Sequence, residues 1–324
     1  MSRRPLRVVA LGLGPIGRSV CQEIAASDDL ELAGAVDPSP ALAGKDLGRL
    51  LGIRSLSGRR VAASLDGLSP RKVDVAAHLA ASRFAVARVH LRELVERKLP
   101  VVTTCEEMIA ARWRWPAEAS ALDRAARRAG IPVLTTGVNP GFVMDLLPAA
   151  LANVCIRVHR VHVTRWVDTS TRRLALQEKT GVGLRPAEFR RRAKEGRVGH
   201  VGLRDSLIFL MNHLPLEGIV GEETLRPIVA AKTRKRGRST LRRGEVSGVH
   251  QTVVARDPAS RRVVASFDLR MEYGLAGAHD EIRIDGDPAF RARIEGGVPG
   301  DRATVGAVLS AIRYAPDASP GLGV

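Results

Sequence analysis

Cysteine, aromatic residues and lysine are all scarce in this chain of 324 residues, and each shortage removes a class of function. The three cysteines, Cys21, Cys105 and Cys155, are odd in number and far apart, which argues against a disulfide framework and against a zinc site. Aromatics make up 3% of residues, too few to provide stacking platforms for nucleic-acid bases. No apolar run approaches the ~20 residues that a membrane-spanning helix needs, so no membrane partner is expected. The segment Met1-Ser2-Arg3-Arg4-Pro5 leads straight into a strand pattern and leaves no room for a secretory signal. With the reduced cysteines, this sets the expectation of a cytoplasmic protein. Only seven of the 51 basic residues are lysine, and the arginines are scattered through every segment. The net charge of +17 therefore does not by itself make nucleic acid an expected partner. Two denser runs stand out: Arg190-Arg191-Arg192 through Arg197, and Lys232 through Arg238 with Arg242 and Arg243. They read as a solvated helix face and a charged hairpin or loop, although a positive surface would also concentrate anionic cofactor or substrate.

What the chain does have is a glycine turn in a specific setting. Val8-Val9-Ala10-Leu11 runs into Gly12-Leu13-Gly14-Pro15-Ile16-Gly17, and Asp37 stands twenty residues past Gly17. Gly12 permits the tight turn, Gly14 lets backbone approach a pyrophosphate, and Gly17 allows close helix packing. The helix start, at Pro15 and Ile16, offers N–H groups and positive dipole to phosphates. The preceding apolar run, the following helical pattern and the acidic spacing agree with one another, which points to a nicotinamide dinucleotide, NAD or NADP. Asp37 would accept from the ribose hydroxyls, whereas Lys45, Arg54, Arg59 and Arg60 could reach a 2′-phosphate.

The first 140 or so residues alternate short apolar runs with helical patterns, the signature of a parallel sheet wrapped by helices. Strands are expected at Leu6 to Leu11, Leu30 to Val36, Val73 to His78, Leu99 to Thr103 and Ile131 to Thr135. Helices are expected at Ile16 to Ala26, Phe84 to Lys98 and Ala117 to Ala129. After Asp145 the texture changes. Ile156 to Val163 alternates like a strand with one wet face, and Gly248 to Ala255, Val263 to Tyr273 and Glu281 to Ile284 suggest a mostly antiparallel sheet. Ala303 to Tyr314 reads as a helix, and Asp317 to Val324 as a Pro/Gly-containing tail.

Several segments together resemble the 2,4-diaminopentanoate dehydrogenase family, which includes native amine dehydrogenases and is related in fold to dihydrodipicolinate reductase. They are Gly44-Lys45-Asp46-Leu47-Gly48, Thr103-Thr104-Cys105-Glu106-Glu107 and Thr136 through Asp145 with its Asn139-Pro140-Gly141-Phe142. The second half adds Val167 through Arg173, Gln177-Glu178-Lys179-Thr180-Gly181 and Gly199-His200-Val201-Gly202-Leu203. Ala311-Ile312 and Ser319-Pro320-Gly321-Leu322 look like the family's closing segment. The resemblance implies a Rossmann domain over residues 1–141 and an α+β substrate and dimerisation domain over 142–299. It also implies a C-terminal helix and tail, 300–324, returning to the first domain, and a homodimer. The implied activity is NAD(P)-dependent oxidative deamination of a primary amine or amino acid, and the reverse reductive amination of a ketone with ammonia.

The same resemblance marks Glu106 as the active-site glutamate. A carboxylate in a loop after a parallel strand can stabilise a developing iminium and shuttle protons as water or ammonia is lost. Glu107 fits a capping carboxylate better. Pro140 fixes its own φ and biases Asn139 toward extended backbone, so a rigid turn would aim the Asn139 amide at nicotinamide or substrate. Arg165 and His200 are candidates to hold a substrate carboxylate, an arginine fork pairing with it bidentately. His78 and Ser82, at and after a strand end, are candidates for dinucleotide contacts alongside Cys105, with a core or capping role the alternative.

Other constellations are missing. His159 and His162, three apart on a strand, point to opposite faces and make a poor metal pair. No G-x-S-x-G or H-E-x-x-H motif is present. Two alternatives to the amine dehydrogenase stay open: an imine or keto-acid reductase that needs no ammonia, and a dinucleotide-responsive protein that binds polyanions through its basic surface.

Overall fold

The apolar runs of the first half form parallel strands because helices shield them on both faces. The computed structural model describes residues 4–67, 73–236 and 239–324; Gly237 and Arg238 of the second basic run lie outside them. Contacts divide the chain into two units, Met1–Gly141 with Pro299–Val324, and Phe142–Val298. No helix among the described residues is long and apolar enough to cross a membrane.

The first unit begins with β1 (Leu6–Leu11), α1 (Pro15–Ala25), β2 (Leu30–Val36), α2 (Leu47–Leu51) and β3 (Val75–His78). It continues with α3 (Phe84–Glu96), β4 (Val101–Thr103), α4 (Ala111–Arg114), α5 (Pro116–Ala129) and β5 (Pro132–Thr135). Strand alternation divides the core. Val8, Ala10, Val75 and Ala77 pack with Val20 and Ile24 of α1, while Val9, Leu11 and Ala76 pack with Leu91 and Leu94 of α3 and Leu122 of α5. Pro15 and Pro116 stand at the first positions of α1 and α5, where a missing N–H costs nothing.

The second unit runs through α6 (Leu146–Ala152), β6 (Arg157–Asp168), α7 (Leu174–Lys179), α8 (Pro186–Lys194) and α9 (Leu203–Met211). Then come β7 (Ile219–Val220), β8 (Thr224–Val229), β9 (Arg234–Arg236), β10 (Ser239–Leu241) and β11 (Val246–Arg256), followed by β12 (Val263–Glu272), β13 (His279–Asp287) and β14 (Phe290–Glu295). Its main sheet has the order β14-β13-β6-β12-β11-β7, with β8 also paired to β11, while β9 and β10 form a separate two-stranded antiparallel sheet. Every pair in the main sheet is antiparallel except β6–β12. The expected α/β unit with a second, mostly antiparallel α+β unit is therefore the observed fold class.

The chain then returns to the first unit through α10 (Gly300–Tyr314) and β15 (Gly321–Gly323). Val305, Val308 and Ile312 of α10 complete the core cluster on the α1 side. Arg302 and Arg313 bond Glu23 and Asp29 at 2.9 and 2.6 Å. The segment expected as an irregular tail differs: β15 pairs parallel with β5 and finishes a six-stranded parallel sheet of order β15-β5-β4-β3-β1-β2.

Candidate active site

All six strands of the first sheet are parallel, so the loops after β1, β2, β3, β4 and β5 share its carboxyl edge. The glycine turn sits there, and its three glycines answer to different constraints. Gly12 has φ +94°, and a Cβ on it would lie 2.7 Å from the Ala80 Cα. A Cβ on Gly17 would lie 1.9 Å from the Gly12 carbonyl oxygen. A Cβ on Gly14 would meet nothing within 4 Å. Two glycines are thus demanded by the protein's own backbone, and the third, exposed at the start of α1, keeps open the space a pyrophosphate needs. This cradle fits a dinucleotide. The α1 terminus has no acidic residue in its first turn to oppose an anion.

Asp37 steadies the cradle from the end of β2. One carboxylate oxygen accepts from the Leu13 N–H at 2.8 Å and the other from the Ser39 N–H at 3.0 Å. Of the nearby cations, Arg59 donates to the Leu32 carbonyl at 2.7 Å and Arg60 to the Gly44 carbonyl at 2.9 Å, whereas Lys45 and Arg54 are exposed.

The expectation of a dinucleotide contact through the His78 ring gives way to the core alternative. His78 is fully buried, with Nδ1 2.9 Å from Thr103 Oγ1 and Nε2 3.1 Å from His90 Nδ1. Burial, reinforced by His90, pushes its pKa down to about 3, so the ring is a neutral sheet-internal link between β3, β4 and α3. Cys105 is also buried, and its thiol donates to the Ser82 carbonyl at 3.4 Å. Burial, with the charge of Glu106 adding to it, pushes this thiol up to about 12. Cys105 and Ser82 are joined by that bond, and the Glu107 N–H donates to the same carbonyl at 3.2 Å.

The two adjacent glutamates separate cleanly. Both begin the 3₁₀ turn Glu106–Ala110 after β4. Glu107 is buried; its carboxylate accepts from Arg83 Nη1 at 2.7 Å and from the Phe84 N–H at 2.8 Å, capping the start of α3. Glu106 is half-buried on the sheet edge that carries the glycine turn. Beyond β5, the Asn139-Pro140 peptide is cis and Gly141 has φ +121°. A Cβ on Gly141 would lie 2.6 Å from the Gly137 nitrogen, so the turn closes on itself. Asn139 Oδ1 is buried there with no hydrogen-bond partner among the described residues.

In the second unit, Arg165 does not present an open fork. Its side chain is 5% exposed, with Nη1 2.7 Å from Asp280 Oδ2 and Nη2 2.9 Å from the Val298 carbonyl. Asp280 is its cross-strand neighbour on β13, and the expected substrate carboxylate is replaced by the protein's own. His200 is half-buried in the loop before α9, its main chain held by Gln251: the His200 N–H donates to Gln251 Oε1, and Gln251 Nε2 donates back to the His200 carbonyl, both at 2.9 Å. Asp280, Gln251 and His90 were missed in the sequence. None of the three left a trace there: Asp280 stands among other polar residues of His279–Asp287, just before the strand expected at Glu281 to Ile284.

A family model described as the 2,4-diaminopentanoate dehydrogenase C-terminal domain matches residues 142–324. The chain is 27% identical over 328 residues to the 2,4-diaminopentanoate dehydrogenase of Acetoanaerobium sticklandii, covering 98% of this chain and 91% of that protein. Among solved structures it is similar to an amine dehydrogenase from Mycobacterium smegmatis, with a TM-score of 0.82 and 23% identity over 98% of this chain and 94% of that one. It is also similar in fold to an Agrobacterium radiobacter oxidoreductase in complex with NAD+, L-tartaric acid and magnesium, with a TM-score of 0.54 and 11% identity over 98% and 90% of the two chains.

Proposed function

The chain belongs to the 2,4-diaminopentanoate dehydrogenase family, and from that membership we propose that it is a nicotinamide-dependent amine dehydrogenase. It interconverts a primary amine and the corresponding ketone plus ammonia, using NAD or NADP. The observation that carries this reading is the division of labour at the carboxyl edge of the first sheet. Glu107 is buried and caps α3, and Glu106, half-buried, follows β4 directly on the edge that holds the glycine cradle.

The dinucleotide, when bound, supplies hydride acceptance in one direction and hydride delivery in the other. The cradle residues Gly12, Gly14, Pro15, Ile16 and Gly17 hold its phosphates, and Asp37 accepts from ribose. Glu106 takes a proton from the substrate ammonium, stabilises the iminium charge as it develops, and serves the water that replaces nitrogen. The buried, unpartnered Asn139 Oδ1 supports a hydrogen bond to an amine or carboxamide N–H. His200 remains the candidate substrate contact of the second unit, while Arg165, paired with Asp280, belongs to that unit's frame.

A panel of ketones and keto acids, assayed with ammonium and both reduced nicotinamides, tests the proposal. Reduced nicotinamide is expected to be consumed only with ammonium present, and Glu106→Gln to lower kcat about 10²–10⁴-fold with an unchanged Tm. Equal consumption without ammonium would instead identify an imine or keto-acid reductase.

A further inference from the structure

The two arginine-rich runs lie far apart in the chain, yet the second unit brings them to one place. Arg190 on α8 and Arg242 and Arg243 after β10 line, with Arg185, a concavity of about 560 Å³ in which Glu245 is the one carboxylate. Four arginines against one glutamate leave three positive charges uncompensated. Nearby arginines of the first run are handled differently. Arg191 and Arg192 are held by Glu188 at 2.8 and 2.6 Å, and Arg197 is paired with Glu195. Among the described residues Arg185, Arg190 and Arg243 have no ion pair, and Arg242 has only Glu245 at 3.7 Å. The carboxylates of α8 thus neutralise some of its arginines and leave the concavity positive.

Guanidinium groups pair bidentately with phosphate oxygens, and clustered cations without counter-charges attract multivalent anions. The volume falls within the ~300–1,000 Å³ range of small-molecule sites, larger than one phosphate group requires. We infer that this concavity binds a small ligand carrying two or more linked phosphate groups, held by Arg185, Arg190, Arg242 and Arg243. The site belongs to the second unit and is independent of the glycine turn and of the amine dehydrogenase reading.

Calorimetric titration of the full chain with inorganic tripolyphosphate, at fixed ionic strength, tests this. A saturable phase is expected that weakens tenfold or more in Arg190→Glu/Arg243→Glu and survives in Gly14→Val, which fills the glycine cradle. Far-UV circular dichroism and Tm confirm that both variants are folded. No saturable phase, a phase indifferent to the arginine double variant, or one lost in Gly14→Val would overturn the inference. So would equal displacement by sulfate, which would reduce the effect to charge screening. Heparin binding that needs these arginines, in the absence of a tripolyphosphate phase, would assign the patch to a polyanionic macromolecule instead.

Discussion

In the parallel sheet of the first unit the buried strand positions are mainly aliphatic, and the one titratable ring among them, His78, is kept neutral. In the mixed sheet of the second unit Arg165, Asp280 and Glu281 are buried, each paired across neighbouring strands. Glu281 on β13 is opposite Arg293 on β14 and is also bonded by Arg283 and Arg291. Burial alone would push its carboxyl up, but the hydrogen bonds from Arg291, Arg283 and Arg293 outweigh burial and hold it at about 2. The contrast follows from the layers. Helices on both faces of a parallel sheet leave its polar chemistry to the strand ends, whereas antiparallel neighbours let long arginines reach acids within the sheet. Charge stays at the strand ends of the first sheet and is built into the interior of the second.

That contrast can be broken most forcefully at Asp280. Asp280→Ala would leave Arg165 buried without its partner and is expected to cost about 3–5 kcal/mol in urea unfolding. Arg165→Met combined with Asp280→Leu should recover most of it, and a double variant as unstable as the single one would deny Arg165 a framework role. Next is the glycine turn. Gly12→Val forces a β-branched residue to φ +94° and is expected to cost about 1–3 kcal/mol in strain, lowering Tm. Gly14→Ala should leave stability within about 0.5 kcal/mol yet weaken dinucleotide binding about tenfold, read by fluorescence titration. Glu107→Gln is expected to lose about 1–2 kcal/mol of capping and charge-assisted bonding while kcat holds, the reverse of the Glu106 substitution.

The mildest effect at neutral pH, and the sharpest at acid pH, concerns protons. His78 has a folded pKa near 3 against an ordinary 6.5, so its contribution is complete above pH 6.5 and drains away as pH falls toward 3. Burial also lowers the His162 pKa, in the same direction. Glu281 contributes fully above pH 4.5 and loses its effect between there and about 2. Tm measured across pH should therefore decline first below 6.5, and His78→Gln should flatten that early decline. An unchanged slope would place the proton uptake at another group.

Much of the first unit was legible because strands buried on both faces produce continuous apolar runs, and the expected β1, α1, β2 and α5 lie within a residue or so of their observed bounds. The glycine turn was legible because its spacing is a local backbone requirement. β15 was not: Gly321-Leu322-Gly323 pairs with β5 through main-chain bonds that its side chains do not advertise. Nor was the partner of Arg165, since Asp280 is 115 residues away and only the β6–β13 register joins them. The two basic runs were visible as charge, but their meeting at one concavity depends on the route of the chain between them. His78 stands at a strand end, where chemistry is expected. Its burial depends on His90 and Thr103, which arrive from a helix and a neighbouring strand.

The return of α10 and β15 to the first unit has a consequence for biogenesis. While the ribosome is still making Phe142–Val298, the sheet that carries the glycine turn lacks its edge strand and the aliphatic cover of Val305, Val308 and Ile312. The nascent first unit therefore has a bare oily flank until Gly300–Gly323 has been made and folded back, so completion of the sheet that carries the cradle waits on a segment synthesised after the whole second unit.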